Sequence, residues 1–119
     1  MKNYTSIEQA KKLVEFLPIE SADMYYCYGM DIHTKGWSFD DTPTIIDNSN
    51  RIDVHADIPC WSLAALLSVI PKPDLVQNSE GTWLLHSWVN DYPWSVGGYS
   101  NPVDACVEMI IKLRGLNLL

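Results

Sequence analysis

The chain has 119 residues, 47% of them apolar and 19% charged, with a formal charge of −7. A chain of this length predicts a single domain, residues 1–119, burying roughly 65% of the surface its unfolded form exposes, enough for a core without metals or disulfides. The composition excludes a disordered chain, and the acidity argues against direct binding to nucleic acid or an anionic membrane.

A first helix is predicted from Thr5 or Ser6, with Thr5-x-x-Glu8 as a capping box. Ile7, Ala10, Leu13, Val14 and Leu17 recur at helical spacing, and Pro18 limits the helix. Ala22 to Tyr28, rich in aromatics and closed by Gly29, predicts a strand, which Ile32 and His33 could continue. Trp37 and Phe39 stand as apolar islands among Gly, Ser and Asp. Thr44-Ile45-Ile46 and the alternating Ile52 to Ala56 flank the turn-rich Asp47-Asn48-Ser49-Asn50 and predict a hairpin.

Pro59 to Ile70 predicts a second helix, with Ser62 as a cap, Leu63, Leu66, Leu67 and Ile70 as its apolar stripe, and Pro71 and Pro73 as its stop. Asp74 to Gly81 reads as a loop. Thr82 to Val89 reads as a strand apolar on both faces, hence central. Trp83, Leu85 and Val89 share one face, and Leu84, His86 and Trp88 the other. Asn90-Asp91 turns the chain into a weaker strand, Trp94 to Tyr99, broken at Gly97-Gly98 by a bulge. The last helix is marked at both ends. Asn101 caps it, Pro102 suits its first position, Asp104 faces the positive end of its dipole, Lys112 and Arg114 the negative end, and Gly115 closes it. Val103, Cys106, Val107, Ile110 and Leu113 face the core. The expected fold class is α+β, two-layer: about three helices on a curved antiparallel sheet, in the order α-β-(ββ)-α-β-β-α.

The charge is uneven. From Glu20 to Asp57 eight acidic residues oppose only Lys35 and Arg51, a local balance of −6. The cysteines Cys27, Cys60 and Cys106 are odd in number and widely spaced. No apolar leader follows Met1, and no apolar run approaches a membrane span. The expectation is therefore a cytoplasmic protein with reduced, core-type cysteines and no membrane partner.

Candidate chemistry is sparse. His55-Ala56-Asp57-Ile58-Pro59-Cys60 invites comparison with the zinc deaminase pattern, but Asp57 replaces Glu, the Pro-Cys follows at once, and position 63 is Leu where a second cysteine is needed. The expectation is no metal and no cofactor. His33, His55 and His86 are scattered. Asp40-Asp41 and the carboxylates of Asp53 and Asp57 lack calcium-loop spacing and read as solvated loop charges. Ser62 lacks a nucleophile elbow and reads as a helix cap. Cys60 reads as buried packing, and Gly97-Gly98 is not a phosphate cradle. The surplus lies in aromatics: five Trp and six Tyr. Trp37, Trp88, Tyr92, Trp94 and Tyr99 fall in or near loops and strand ends, and interfaces are enriched in these residue types. They are the candidate partner-binding residues, and no catalytic residue is assigned.

Three segments, Leu17 to Tyr26, Ile58 to Leu67 and Asn101 to Ile110, together resemble a family of small uncharacterised phage and prophage proteins of gut Bacteroides-type bacteria. Met30 to Arg51 lies outside the resemblance. It implies a cytosolic protein encoded by a mobile element and supplies no catalytic residue. The expected function is that of a non-enzymatic accessory protein that binds an unknown host or phage protein. The alternatives are an acidic decoy of a nucleic-acid-binding host protein, which needs carboxylates arrayed on one face, and a small metal-dependent hydrolase, which needs the histidines, Cys60 and carboxylates in one cleft.

Overall fold

The structure, a computed structural model, describes residues 2–30, 33 and 35–119. Among those residues it is α+β, with three α-helices and antiparallel sheets. The described strands fall into three small sheets, where the sequence predicted one curved sheet. The chain divides into two compact units, Ser6–Trp61 and Met1–Thr5 with Ser62–Leu119.

In the first unit, helix α1 (Ile7–Leu13) starts one residue later than the predicted capping box. Ser6 Oγ accepts the Gln9 N–H at 3.1 Å, and Gln9 returns a bond from its side chain to the Ser6 N–H. Thr5, the alternative cap, is fully buried. Ala10 and Leu13 are buried, and the helix packs on strand β5. After a short 3-10 turn (Ile19–Ser21), the predicted strand from Ala22 to Tyr28 is split at Cys27 into β1 (Met24–Tyr26) and β2 (Tyr28–Met30). β1 is the centre of a sheet ordered β4-β1-β5, with β4 at Thr44–Ile45 and β5 at Ile58–Cys60. β2 pairs instead with β3 (Trp37–Phe39). Ile32 lies outside the described residues.

The predicted hairpin between Thr44–Ile46 and Ile52–Ala56 does not form; β4 pairs with β1. The reason is local. The Asp57 carboxylate accepts the N–H groups of Asp53 and Tyr28, and Asp53 accepts that of His55, so residues 54–56 form a turn. Such side-chain bonds offer the backbone an alternative to a ladder. Trp61 anchors this unit. It is fully buried, and its indole N–H donates to Ser21 Oγ at 2.9 Å, which donates in turn to the Pro18 carbonyl.

In the second unit, helix α2 (Leu63–Val69) is shorter than predicted, because Pro59 and Cys60 belong to β5. Ser62 caps it, as expected, accepting the Ala65 N–H at 3.2 Å. Leu66 and Ile70 are buried. Residues 74–77, predicted as loop, form edge strand β6 (Asp74–Gln77) against β7 (Trp83–Val89), with β8 (Tyr92–Tyr99) on the far side. β7 is central, as its two-sided apolar pattern requires. Asn90 and Asp91 both take positive φ, 53° and 63°, which a two-residue primed turn demands. The bulge falls at Gly97–Gly98, opposite Leu84. Gly98 has φ 84°, and a Cβ on Gly97 would sit 2.7 Å from Leu84 Cδ2.

Helix α3 (Pro102–Gly115) packs on β7, β8 and α2. Its start is as read from the sequence, with Asn101 Oδ1 accepting the Asp104 N–H at 2.9 Å. Asp104 also pairs with Lys2 at 3.1 Å. Its predicted core stripe is buried, and Ala105 and Met109 are buried as well. Its end is not as read. Gly115 stays helical, and Asn117, at φ 58°, takes the left-handed position. The Leu118 N–H bonds to the Leu113 carbonyl and the Asn117 N–H to that of Arg114, a Schellman closure two residues beyond the glycine. Asparagine serves here because it tolerates that conformation better than other non-glycine residues.

Candidate functional site

The β2–β3 hairpin gathers aromatic side chains by strand alternation. Tyr28 faces Phe39 and Met30 faces Trp37 across the ladder, so all four lie on one face. The reverse face holds only Gly29 and Ser38. The Tyr28 ring centroid lies 4.9 Å from that of Phe39 and 5.8 Å from that of Trp37, with interplanar angles of 48° and 30°. Tyr28, Met30 and Trp37 are 39%, 58% and 61% exposed. A cleft of about 210 Å³ on the hairpin is lined by Gly29 and Ser38 of the reverse face together with Met30, Phe39, Asp40 and Asp41, and by neither Tyr28 nor Trp37. That is smaller than the roughly 300–1,000 Å³ of small-molecule sites, a size that suits one inserted side chain.

The carboxylates around the hairpin separate into two kinds. Asp47 accepts three bonds from Ser49 and Asn50, which hold its carboxyl below the usual range. Asp53 and Asp57 bind the backbone of their own turn and of Tyr28. Asp40 and Asp41 accept no hydrogen bond and form no ion pair with any described side chain. The negative field is felt at the root of the hairpin: the Cys27 thiol is pushed up by burial and then by Asp57 and Asp40.

A second aromatic group lies on the β7–β8 hairpin. Tyr92 and Trp94 share the sheet face that α3 covers, with ring centroids 4.9 Å apart. Lys112 of α3 donates to the Ser95 carbonyl at 3.0 Å, with its Nζ 5.8 Å from the Trp94 ring centroid. Trp94 is half-buried, and its indole N–H is buried without a hydrogen-bond partner. Trp88 points to the opposite face with Pro93. Tyr99 lies opposite Trp83, and its hydroxyl is pushed up by burial and then by Glu108 and Asp104. The five aromatics singled out from the sequence are therefore not one surface. Tyr92 and Trp94 are brought together, Trp88 is on the other side of their sheet, Tyr99 is at the far end of the strand, and Trp37 belongs to the β2–β3 group. Tyr28, Met30 and Phe39 were missed, although the paired alternations Tyr28-x-Met30 and Trp37-x-Phe39 are a hairpin signal.

The remaining candidates do not converge on chemistry. His33 and His55 are exposed in turns, and Cys60 is fully buried in β5. Among the described residues no group of three or more His, Cys, Asp or Glu side chains is placed to hold a metal ion. His86 has Asp74 and Ser95 as its cross-strand partners, a row of carboxylate, imidazole and hydroxyl, yet no hydrogen bond links them. A nucleophile needs its base within hydrogen-bond reach. The Cys106 thiol, buried under α3, is pushed up to about 12 by desolvation, which removes it as a nucleophile at neutral pH. Among the described residues no helix is long and apolar enough to cross a membrane. The chain matches no protein-family model, no curated protein and no solved structure.

Proposed function

We propose that this is a non-enzymatic, cytoplasmic protein-binding module, encoded by a phage or prophage, and that the β2–β3 hairpin is its contact surface. The observation that carries the reading is the exposed face of Tyr28, Met30 and Trp37 on strands that bury almost nothing else. A two-stranded hairpin is marginal by itself, and large exposed apolar side chains grouped on one face are the usual mark of an interaction site. The mobile-element origin rests on the resemblance of the three segments described above. The decoy alternative has no support in the carboxylates: Asp47, Asp53 and Asp57 hold their own loops.

The test is a comparative capture from host lysate, with Trp37→Ala and Trp94→Ala as paired baits of verified fold. A protein retained by the native chain and by Trp94→Ala, but lost from Trp37→Ala, supports the proposal. Equal retention by both variants refutes the assignment to this hairpin.

A further inference from the structure

We infer that strand β6 pairs with β6 of a second copy of this chain, antiparallel across a two-fold axis at Val76, so that two sheets ordered β6-β7-β8 become one. The two edges of that sheet are finished differently. The primed turn at Asn90-Asp91 makes Val89 and Tyr92 a hydrogen-bonded pair, so by alternation Pro93 and Ser95 turn their backbone groups away from β7. Pro93 has no N–H to offer, and the Ser95 carbonyl accepts from Lys112 at 3.0 Å. The bulge at Gly97–Gly98 then breaks the line. An edge made in this way resists a further strand. Edge β6 has none of these devices between Asp74 and Gln77. The Asn78 N–H bonds to the Thr82 carbonyl at 2.9 Å, which fixes the phase: Asp74, Val76 and Asn78 turn their backbone groups to β7, and Leu75 and Gln77 turn theirs outward. Among the described residues nothing bonds to those outward groups.

A second copy fits this edge by its own symmetry. With the axis at Val76, Leu75 faces Gln77 of the other copy on both sides, and each pair exchanges two backbone bonds. Val76, 42% exposed, faces its own counterpart and extends the apolar row it forms with Leu84. Asp74 falls opposite Asn78, so like charges do not meet. Lys72, four residues before the axis, comes to the end where Glu80, four residues after it, lies in the second copy. Both are exposed, and neither forms an ion pair among the described residues. A slip of two residues either way is worse. One direction sets Asp74 against Glu80, and the other sets Gln77 against Pro73, which cannot donate. The outer edges of the joined sheet are the blocked β8 strands, so the pairing closes at two copies instead of continuing as a filament.

The experiment is sedimentation equilibrium of the full-length chain from about 10 µM to about 1 mM, with amide hydrogen exchange at both ends of that range. A few backbone bonds over a small contact predict a Kd on the order of 0.1 mM. The mean mass is expected to rise from the 13.5 kDa of one chain towards twice that value. Exchange of the Leu75 and Gln77 amides is expected to slow with concentration, while that of Val76, already bonded to β7, stays unchanged. Gln77→Pro removes an outward donor and leaves the bonds to β7 in place, and Val76→Lys sets like charges across the axis. Each is expected to weaken association at least about tenfold, with amide spectra establishing that the variant is folded. Lys72→Glu is expected to weaken it by about threefold and Lys72→Glu/Glu80→Lys to restore it. A single-chain mass at about 1 mM overturns the proposal, as does association that Gln77→Pro and Val76→Lys leave intact, or a mass that grows beyond two copies. Trp37→Ala is expected to associate as the native chain does. Loss of association in that variant places the self-contact on the β2–β3 hairpin and overturns the pairing through β6. The capture experiment decides the protein-binding reading separately.

Discussion

The β2–β3 and β7–β8 hairpins are made from the same kinds of residues and become different kinds of surface. Each places large aromatics on one face of a short antiparallel pair. In β7–β8 α3 packs over part of that face, although Tyr92 at the strand's start stays 59% exposed. Trp94 is half-buried, Lys112 reaches across to its ring, and β6 extends the sheet. Among the described residues β2–β3 has no third strand, its rings meet at tilted angles, and Trp37 is 61% exposed. The comparison teaches that aromatic content alone does not mark an interface. What distinguishes the two is whether a helix of the same unit has taken the face.

That contrast can be broken most forcefully from beneath the β7–β8 sheet. Ile110→Ala or Leu85→Ala, both fully buried positions, is expected to cost about 2–5 kcal/mol in chemical denaturation. A cost under about 1 kcal/mol would mean that α3 is not seated as described.

The next effect is on pH. The folded pKa of Cys106 is raised above its unfolded value, so the folded state holds its proton more tightly. Its contribution is complete below pH about 9 and is lost as pH rises towards about 12, on the order of a few kcal/mol across that window. The hydroxyls of Tyr25 and Tyr99, also raised, add the same sign. Denaturation midpoints are expected to fall with alkali, and Cys106→Ala to remove part of the slope. A flat profile would contradict the burial of that thiol.

Trp94→Ala is expected to lower stability by about 1–3 kcal/mol, since the ring is half-buried under Lys112 and beside Tyr92. The helix ends come next. Asn101→Ala removes the cap and is expected to cost about 1 kcal/mol. Asn117→Ala places a Cβ-bearing, non-amide residue at φ 58° and is expected to cost about 1 kcal/mol. Gly115→Ala, inside the helix with nothing within 4 Å of its added Cβ, is expected to be neutral or slightly stabilising. Smallest is Trp37→Ala, within about 0.5 kcal/mol of the native chain in the same assay. A loss at Trp37 as large as at Trp94 would make the β2–β3 face part of the fold's stability rather than a free surface.

Legibility followed the range of the forces involved. The Asn101 and Ser62 caps, the Asn90-Asp91 turn, the Gly97–Gly98 bulge and the central strand Trp83–Val89 could all be read locally, because each depends on residues within a few positions. Ile52 to Ala56 misled because its alternation mimics a strand, while the carboxylates of Asp53 and Asp57 favour a turn that spacing does not reveal. Gly115 misled because two candidates for the left-handed position stand close together, and the helix ran on to Asn117. Asp74–Gln77 looked like loop because an edge strand gains its identity from a neighbour, here β7. Of the candidate site, Trp37 was legible as an exposed aromatic. Its union with Tyr28, Met30 and Phe39 was not, since the two short strands meet only in the folded chain.

By itself the sequence determined an acidic α+β protein with capped helices and antiparallel strands, because composition, periodicity and cap chemistry are local properties. Only the tertiary structure decided how the strands divide among three sheets and which aromatics became core. It also decided that Asp47, Asp53 and Asp57 serve their own loops. Those outcomes depend on contacts between residues far apart in the chain, where pairing partners compete and packing settles the choice.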